Sequence, residues 1–80
     1  MTGLRKLRYD KGLQRKFVAL KIGICGKHLN DIEIGTVSLT VDVAKRFSDF
    51  YEIEVNEINN MYMEGKNETI RSFKKTGSTS

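Results

Sequence analysis

Among its 80 residues the chain has no proline, no tryptophan, one cysteine and one histidine. A single cysteine excludes an intramolecular disulfide, so we expect a reducing, cytoplasmic location. One cysteine and one histidine also exclude a cysteine-rich zinc site, and we expect neither a metal nor a cofactor. No apolar run approaches the roughly 20 residues that span a bilayer, and no signal peptide is visible, so we expect no membrane partner.

Features that would indicate an enzyme are also missing. The sequence contains no recognisable acid/base pair, cluster of metal ligands or phosphate-binding loop. A chain of this size is also too small for a deep, dry catalytic cavity. We therefore predict a protein that is not an enzyme.

Charge is distributed unevenly along the chain. Residues 1–28 carry eight basic side chains and one acidic one, residues 29–64 carry two and eight, and residues 65–80 carry four and one. This pattern predicts a polyanion-binding surface at the N-terminal end with an acidic body behind it. The alternative is that the charges only solvate the outer faces of helices.

Glycines divide the chain into short segments whose apolar residues recur at helical spacing. We predict an all-α, compact bundle of five helices with no sheet. Phe17 and Val41 are assigned to apolar core stripes, and Thr40 is expected to cap the fourth helix. The fifth helix is expected at about 55–63. A domain of residues 1–63 is then followed by a basic, partly disordered tail, 64–80, with disorder from Thr76 onward.

One stretch of the sequence carries a family resemblance. Residues 13–35 read Leu-x5-Ala-x3-Gly-Ile-x4-Leu-x2-Ile-Glu-x-Gly, with Ala19 and Gly23 at the two small positions. This resembles the helix-turn-helix core of the Cro and lambda-repressor type (xenobiotic-response-element) transcriptional regulators, over about residues 4–58. The resemblance implies a DNA-binding domain whose helix at about 26–34 enters the major groove. Two helices crossing at a tight turn need a small residue such as Ala19, which permits close approach.

The resemblance also implies which side chains on that helix read bases. Lys27 is the first candidate, because a lysine donates to the guanine O6 and N7 acceptors. Asp31 accepts from cytosine N4 but repels phosphate, and its alternative role is an intrahelical pair with Lys27. Asn30 and His28, which flank them, complete the base-reading candidates.

Phosphate contacts are implied at two places. Arg15 lies where many relatives contact the DNA backbone at the start of their second helix, and Lys16 and Lys11 are further candidates. The second place is the loop that contributes hydroxyl groups from Thr36, Ser38 and Thr40.

Two further groups of residues have expected structural roles. Arg8 and Glu33 resemble a salt bridge that several relatives form between their first and third helices. Ile58, Met61 and Tyr62 form a candidate dimer seam on the fifth helix.

The leading prediction is a sequence-specific DNA-binding transcriptional regulator. We expect a repressor of phage or mobile-element type that binds double-stranded DNA as a homodimer. The alternative is a helix-turn-helix protein-interaction module, an antirepressor or adaptor, whose partner is a regulatory protein and whose DNA binding is weak or absent.

Overall fold

A computed structural model describes the backbone of residues 2–78 and the side chains of residues 2–71. Five helices and no strand occur within residues 2–78, which confirms the all-α prediction. The helices are listed here in chain order: α1 Gly3–Asp10, α2 Arg15–Ile22, α3 Gly26–Ile34, α4 Val41–Tyr51 and α5 Val55–Ser78.

Every one of the five helices contributes to a single apolar core. Phe47 of α4 has no exposed surface and is the largest fully buried side chain among the described residues. The buried apolar residues are Leu4, Val18, Ala19, Ile22, Leu29, Ile32, Ala44, Phe47, Tyr51 and Ile58. Burying side chains of this kind stabilises the fold by about 1.5–3 kcal/mol each for the large ones.

α5 differs most from its prediction, because it does not end near Met63 but continues to Ser78. Gly65 lies inside the helix and is buried. A Cβ added there would lie 2.5 Å from the carbonyl oxygen of Glu33, so this glycine allows α5 to approach α3 closely and does not terminate a helix. The expected boundary between residues 63 and 64 therefore falls within α5.

The same extension bears on the expected disorder from Thr76 onward. The backbone of residues 76–78 is part of α5, and Thr79 and Ser80 lie outside the described residues.

Two residues assigned to the core stripes lie at the surface, so those assignments are wrong. Phe17 is 43% exposed because it lies on the side of α2 away from the buried Val18 and Ala19. Val41 is 75% exposed because it is the first residue of α4, one turn before the first buried position of that helix, Ala44.

Candidate nucleic-acid interface

α2 and α3 are joined by a three-residue link, Gly23-Ile24-Cys25. Gly23 adopts a left-handed conformation with φ 89°, which favours glycine. The backbone N–H groups of Gly23 and Ile24 both donate to the carbonyl oxygen of Ala19, at 2.9 Å each. Ala19 is 2% exposed, so its small side chain is enclosed where the two helices meet. The link therefore fixes where α3 starts relative to α2.

A cysteine caps the start of α3. The backbone N–H of His28 donates to the Cys25 sulfur at 3.4 Å, and Cys25 itself is exposed. Gly26 follows as the first helical residue, with nothing within 4 Å of the position its Cβ would occupy. The N-terminal end of α3 is thus open on one side.

Lys27 projects from that open end. Its side chain is 85% exposed, and its Nζ lies 3.1 Å from the Oδ2 of Asp31, whose side chain is 21% exposed. Lys27 and Asp31, two of the four base-reading candidates, therefore form the intrahelical pair that was the alternative role for Asp31. A pair this exposed contributes less than about 1 kcal/mol, so it yields readily to a stronger ligand for either group.

The other two base-reading candidates are placed less openly. The Asn30 Oδ1 accepts a hydrogen bond from the Nη2 of Arg5 at 3.0 Å, which holds this side chain toward α1. His28 is half-buried. Of the four base-reading candidates only Lys27 is exposed, and Asp31 is half-buried like His28 and Asn30.

The basic candidates for phosphate contact surround the start of α2. Arg15 is the first residue of α2, and Arg15, Lys16 and Lys11 are all exposed. Among the described residues, none of the three has a carboxylate within ion-pair distance. Gln14 makes no side-chain cap bond, so the first-turn N–H groups of α2 remain open to an external acceptor. Arg15 lines an open cleft of about 410 Å³ with Arg8, Tyr9, Gly12, Leu13 and Gln14.

The hydroxyl candidates lie between α3 and α4 and are partly engaged within the chain. Thr36 donates its hydroxyl to the carbonyl oxygen of Asp31 at 3.3 Å. Thr40 caps α4 by accepting from the N–H of Val43 at 3.3 Å, and Ser38 is exposed. A hydroxyl that accepts one bond still has a proton to donate, so Thr40 remains chemically able to contact a phosphate.

Beneath this surface, Arg8 and Glu33 form the ion pair expected between α1 and α3. Nε of Arg8 lies 2.7 Å from Oε2 of Glu33, and Nη2 lies 3.1 Å from Oε1, so the contact is bidentate. Both side chains are at least nine-tenths buried, and the hydrogen bonds to Glu33 raise the pKa of Arg8. Arg8 also donates to the carbonyl oxygen of Leu13, which ties the α1–α2 loop to the same pair. The network holds α1, the start of α2 and the end of α3 in one arrangement.

The candidate dimer seam is not a surface. Ile58 has no exposed area and belongs to the core, so its assignment to a seam is wrong. The Tyr62 hydroxyl donates to the carbonyl oxygen of Val37 at 2.8 Å, and Met61 packs against the core. These residues face inward because α5 covers the open side of the bundle, against α1, α3 and α4. Among the α5 side chains that the structure describes, up to Arg71, the exposed large apolar residues are instead Met63 and Ile70.

Two surface residues, one on α4 and one on α2, were not identified from the sequence. Arg46 of α4 donates its Nη1 to the carbonyl oxygen of Ile22 at 3.2 Å and so caps the end of α2. Leu20 is 76% exposed on α2. The helical spacing that selects Val18 and Ile22 for the core places Leu20 on the opposite side of α2, so this spacing predicts that Leu20 is exposed.

No protein-family model matches this chain, and neither a curated protein nor a solved structure matches it significantly. Within the described residues, no helix is both long and apolar enough to cross a membrane. The same residues contain no group of three or more metal-ligating side chains.

Proposed function

We propose that the protein is a sequence-specific DNA-binding regulator whose α2 and α3 form a helix-turn-helix. α3 enters the major groove, which at about 12 Å wide accommodates a helix. The observation that carries the proposal is the cluster of Lys11, Arg15 and Lys16 beside the open start of α2, with no carboxylate partner among the described residues. Cations left unpaired next to free N–H groups form a phosphate-binding surface.

On this proposal, the first side chain of α3 that reaches a base is Lys27. Its ammonium group exchanges the Asp31 carboxylate for guanine O6 and N7, at little cost because the pair is exposed. Asp31 then faces the neighbouring base pair, where it accepts from cytosine N4 and disfavours bases that present acceptors. Gly26 adds no side chain to this face, so sequence recognition depends on few contacts. Regulation follows from occupancy of the site, and repression is the simplest outcome of that occupancy.

The experiment is a titration of labelled duplex DNA followed by fluorescence anisotropy over a salt series. The specific duplex comes from selection out of a random-sequence pool, and a scrambled duplex of equal composition is compared with it. Lys27→Ala should cost about 1–3 kcal/mol on the selected duplex and relax preference at one base pair. Arg15→Ala should weaken both duplexes about equally and reduce the salt slope by about one.

Lys45 provides the matched control, because it is an exposed lysine on α4 in the acidic part of the chain. Lys45→Ala removes the same charge and should leave both affinities nearly unchanged. Equal losses from all three variants would mean that only net charge attracts DNA. No measurable duplex binding at low salt would refute the proposal.

A second candidate is a protein-interaction module, and one feature of α3 favours it. Lys27 is paired with Asp31, Asn30 is held by Arg5, and Gly26 has no side chain, so α3 presents few free donors. This candidate requires that the Lys27 and Arg15 variants leave duplex affinity unchanged while binding to a protein partner is lost.

A further inference from the structure

The exposed side of α2 carries two large apolar side chains in addition to its basic residues. Leu20 is 76% exposed and Phe17 is 43% exposed, whereas Val18, Ala19 and Ile22 of the same helix are buried. Phe17 and Leu20 are three residues apart, so they are neighbours on one helical surface. Adjacent exposed leucine and phenylalanine side chains form a small apolar patch, and apolar patches of this kind are typical of interaction surfaces when neighbouring residues enlarge them.

α4 extends this surface. The rings of Phe17 and the half-buried Phe50 lie 6.2 Å apart at an angle of 59°. Two cations border the rings: the Lys21 Nζ lies 5.6 Å from the centre of the Phe17 ring, and Arg46 is one turn before Phe50 on α4. We call Phe17, Leu20, Lys21, Arg46 and Phe50 the α2–α4 patch.

The charge of the patch is uncompensated within the chain. Neither Lys21 nor Arg46 has a carboxylate within ion-pair distance among the described residues. The Arg46 guanidinium donates one bond to the carbonyl oxygen of Ile22 and retains further N–H donors. A ligand that covers the apolar part of the patch therefore gains most if it also brings negative charge to its border.

We propose that the α2–α4 patch is the docking site for an acidic amphipathic helix of a partner protein. Such a helix presents apolar side chains three or four residues apart, which is the spacing of Phe17 and Leu20, and places its acidic residues toward Lys21 and Arg46. The proposal does not depend on duplex binding by α3, because no residue of the patch belongs to α3 or to the phosphate-contact candidates.

A single-stranded nucleic acid would also bring negative charge, but the geometry favours a protein. Bases bind by stacking on a free aromatic face. Phe17 has Lys21 over its ring and Phe50 beside it, and the most exposed residue, Leu20, has no aromatic face to offer. Aliphatic surface of this kind is covered by aliphatic side chains.

The test uses the full chain and a fluorescent model peptide about 15 residues long, designed as an amphipathic helix with leucines on one side and glutamates flanking them. Its two controls are a scrambled peptide of the same composition and a peptide in which lysines replace the glutamates. We expect the acidic helix to bind more tightly than both controls. Leu20→Ser and Lys21→Glu should each weaken its binding about tenfold or more, as expected for central residues of an interface.

Val41 supplies a closely matched control, because it is 75% exposed on α4 and lies outside the patch. Val41→Ser should leave peptide affinity unchanged, and all three variants should keep the wild-type unfolding transition because the altered side chains are exposed. Equal binding of the acidic and scrambled peptides would overturn the proposal, as would equal loss in Val41→Ser.

Two other occupants are tested alongside. A labelled single-stranded oligonucleotide that binds and is released by Leu20→Ser would assign the patch to nucleic acid and overturn the proposal. Self-association of the free chain that Leu20→Ser abolishes would assign it to a second copy, with the same consequence. Duplex affinity is measured on the same variants, so failure of DNA binding with peptide binding intact rejects the proposed function alone.

Discussion

The buried carboxylate of Glu33 interacts with two arginine side chains. Its side chain is 1% exposed, with the Arg8 Nε at 2.7 Å and the Arg5 Nε at 3.7 Å. We expect Glu33→Gln to lower the free energy of unfolding by about 3–5 kcal/mol, because it leaves the Arg8 guanidinium buried without a counter-charge. Thermal or urea unfolding followed by circular dichroism measures the loss.

The chain contains a control for this prediction. Lys6 and Asp10 also pair at 2.7 Å, but their side chains are 56% and 59% exposed. Lys6→Ala should therefore change stability by less than about 1 kcal/mol. Replacing both partners of the buried pair, as Arg8→Met with Glu33→Leu, should recover part of the Glu33→Gln loss because the buried Arg8 charge is then removed, and Arg5, which also loses Glu33, is 32% exposed. Equal effects of Lys6→Ala and Glu33→Gln would mean that burial does not matter here.

Tyr51 is the second residue whose environment has a measurable consequence. It is 6% exposed, and its hydroxyl has no hydrogen-bond partner among the described residues. Burial, with the negative charge of Glu33 nearby, raises the pKa of Tyr51 from 10.0 to about 12. Because the folded-state pKa is raised, the stabilising contribution is complete below pH about 10 and is lost as the pH rises toward about 12.

Tyr51→Phe removes both the unpartnered hydroxyl and the titrating group. We expect the variant to be more stable than wild type by up to about 1 kcal/mol at neutral pH. Between about pH 10 and pH 12 its melting temperature should fall less steeply than that of wild type. Parallel melting curves for the two proteins across this range would show that Tyr51 does not couple folding to pH.

At the scale of helices, glycine has opposite roles at two positions in this chain. Gly65 is enclosed in α5, where an added Cβ would lie 2.5 Å from the Glu33 carbonyl oxygen, and Gly26 begins α3 with open space around it. Gly65→Ala should lower the free energy of unfolding by about 1–3 kcal/mol, since α5 must move away from α3. Gly26→Ala, the matched control, should leave stability unchanged or raise it by up to about 1 kcal/mol, because alanine favours a helix. Equal stability changes in unfolding experiments would contradict this assignment.

The same two glycines show where sequence-based reasoning succeeds and where it fails. Helical spacing and glycine positions predicted five helices, and the left-handed Gly23 lies at the expected link between α2 and α3. The predicted end of the fifth helix near residue 63 is wrong because local sequence does not reveal that another backbone passes within contact distance of Gly65. Ile58 was assigned to a seam for a related reason, since helical spacing identifies an apolar stripe but not what covers it.

The sequence also predicted some features of the candidate interface and missed others. The charge pattern predicted a basic N-terminal region, the family resemblance singled out Arg15 within it, and helical spacing anticipated the Lys27–Asp31 pair. The contact of Asn30 with Arg5 spans 25 positions in the sequence, and neither residue type requires it, so only the packed structure shows that Asn30 is occupied.

For the whole molecule, the distribution of charge determines which side we expect to face the DNA. The basic excess of residues 1–28 lies in α1, α2 and the start of α3, and the acidic excess of residues 29–64 lies in the later helices. In the proposed DNA complex, repulsion from the phosphates turns the acidic part away from the duplex. We therefore expect binding to weaken steeply as salt increases.

The last prediction concerns two copies on one duplex. Within residues 55–71, whose side chains are described, few large apolar residues of α5 are exposed, Met63 at 48% and Ile70 at 41%, so we expect a monomer in solution that dimerises on DNA. Two α3 helices should then lie about 34–36 Å apart, one turn of the duplex. Sedimentation of the complex should give two protomers per selected duplex.

Adding about five base pairs between the half-sites should abolish cooperative binding, and adding about ten should restore much of it, because the helices again face the same side of the DNA. One protomer per duplex, or affinity that is indifferent to the spacing, would leave a monomeric DNA-binding protein in place of the dimer.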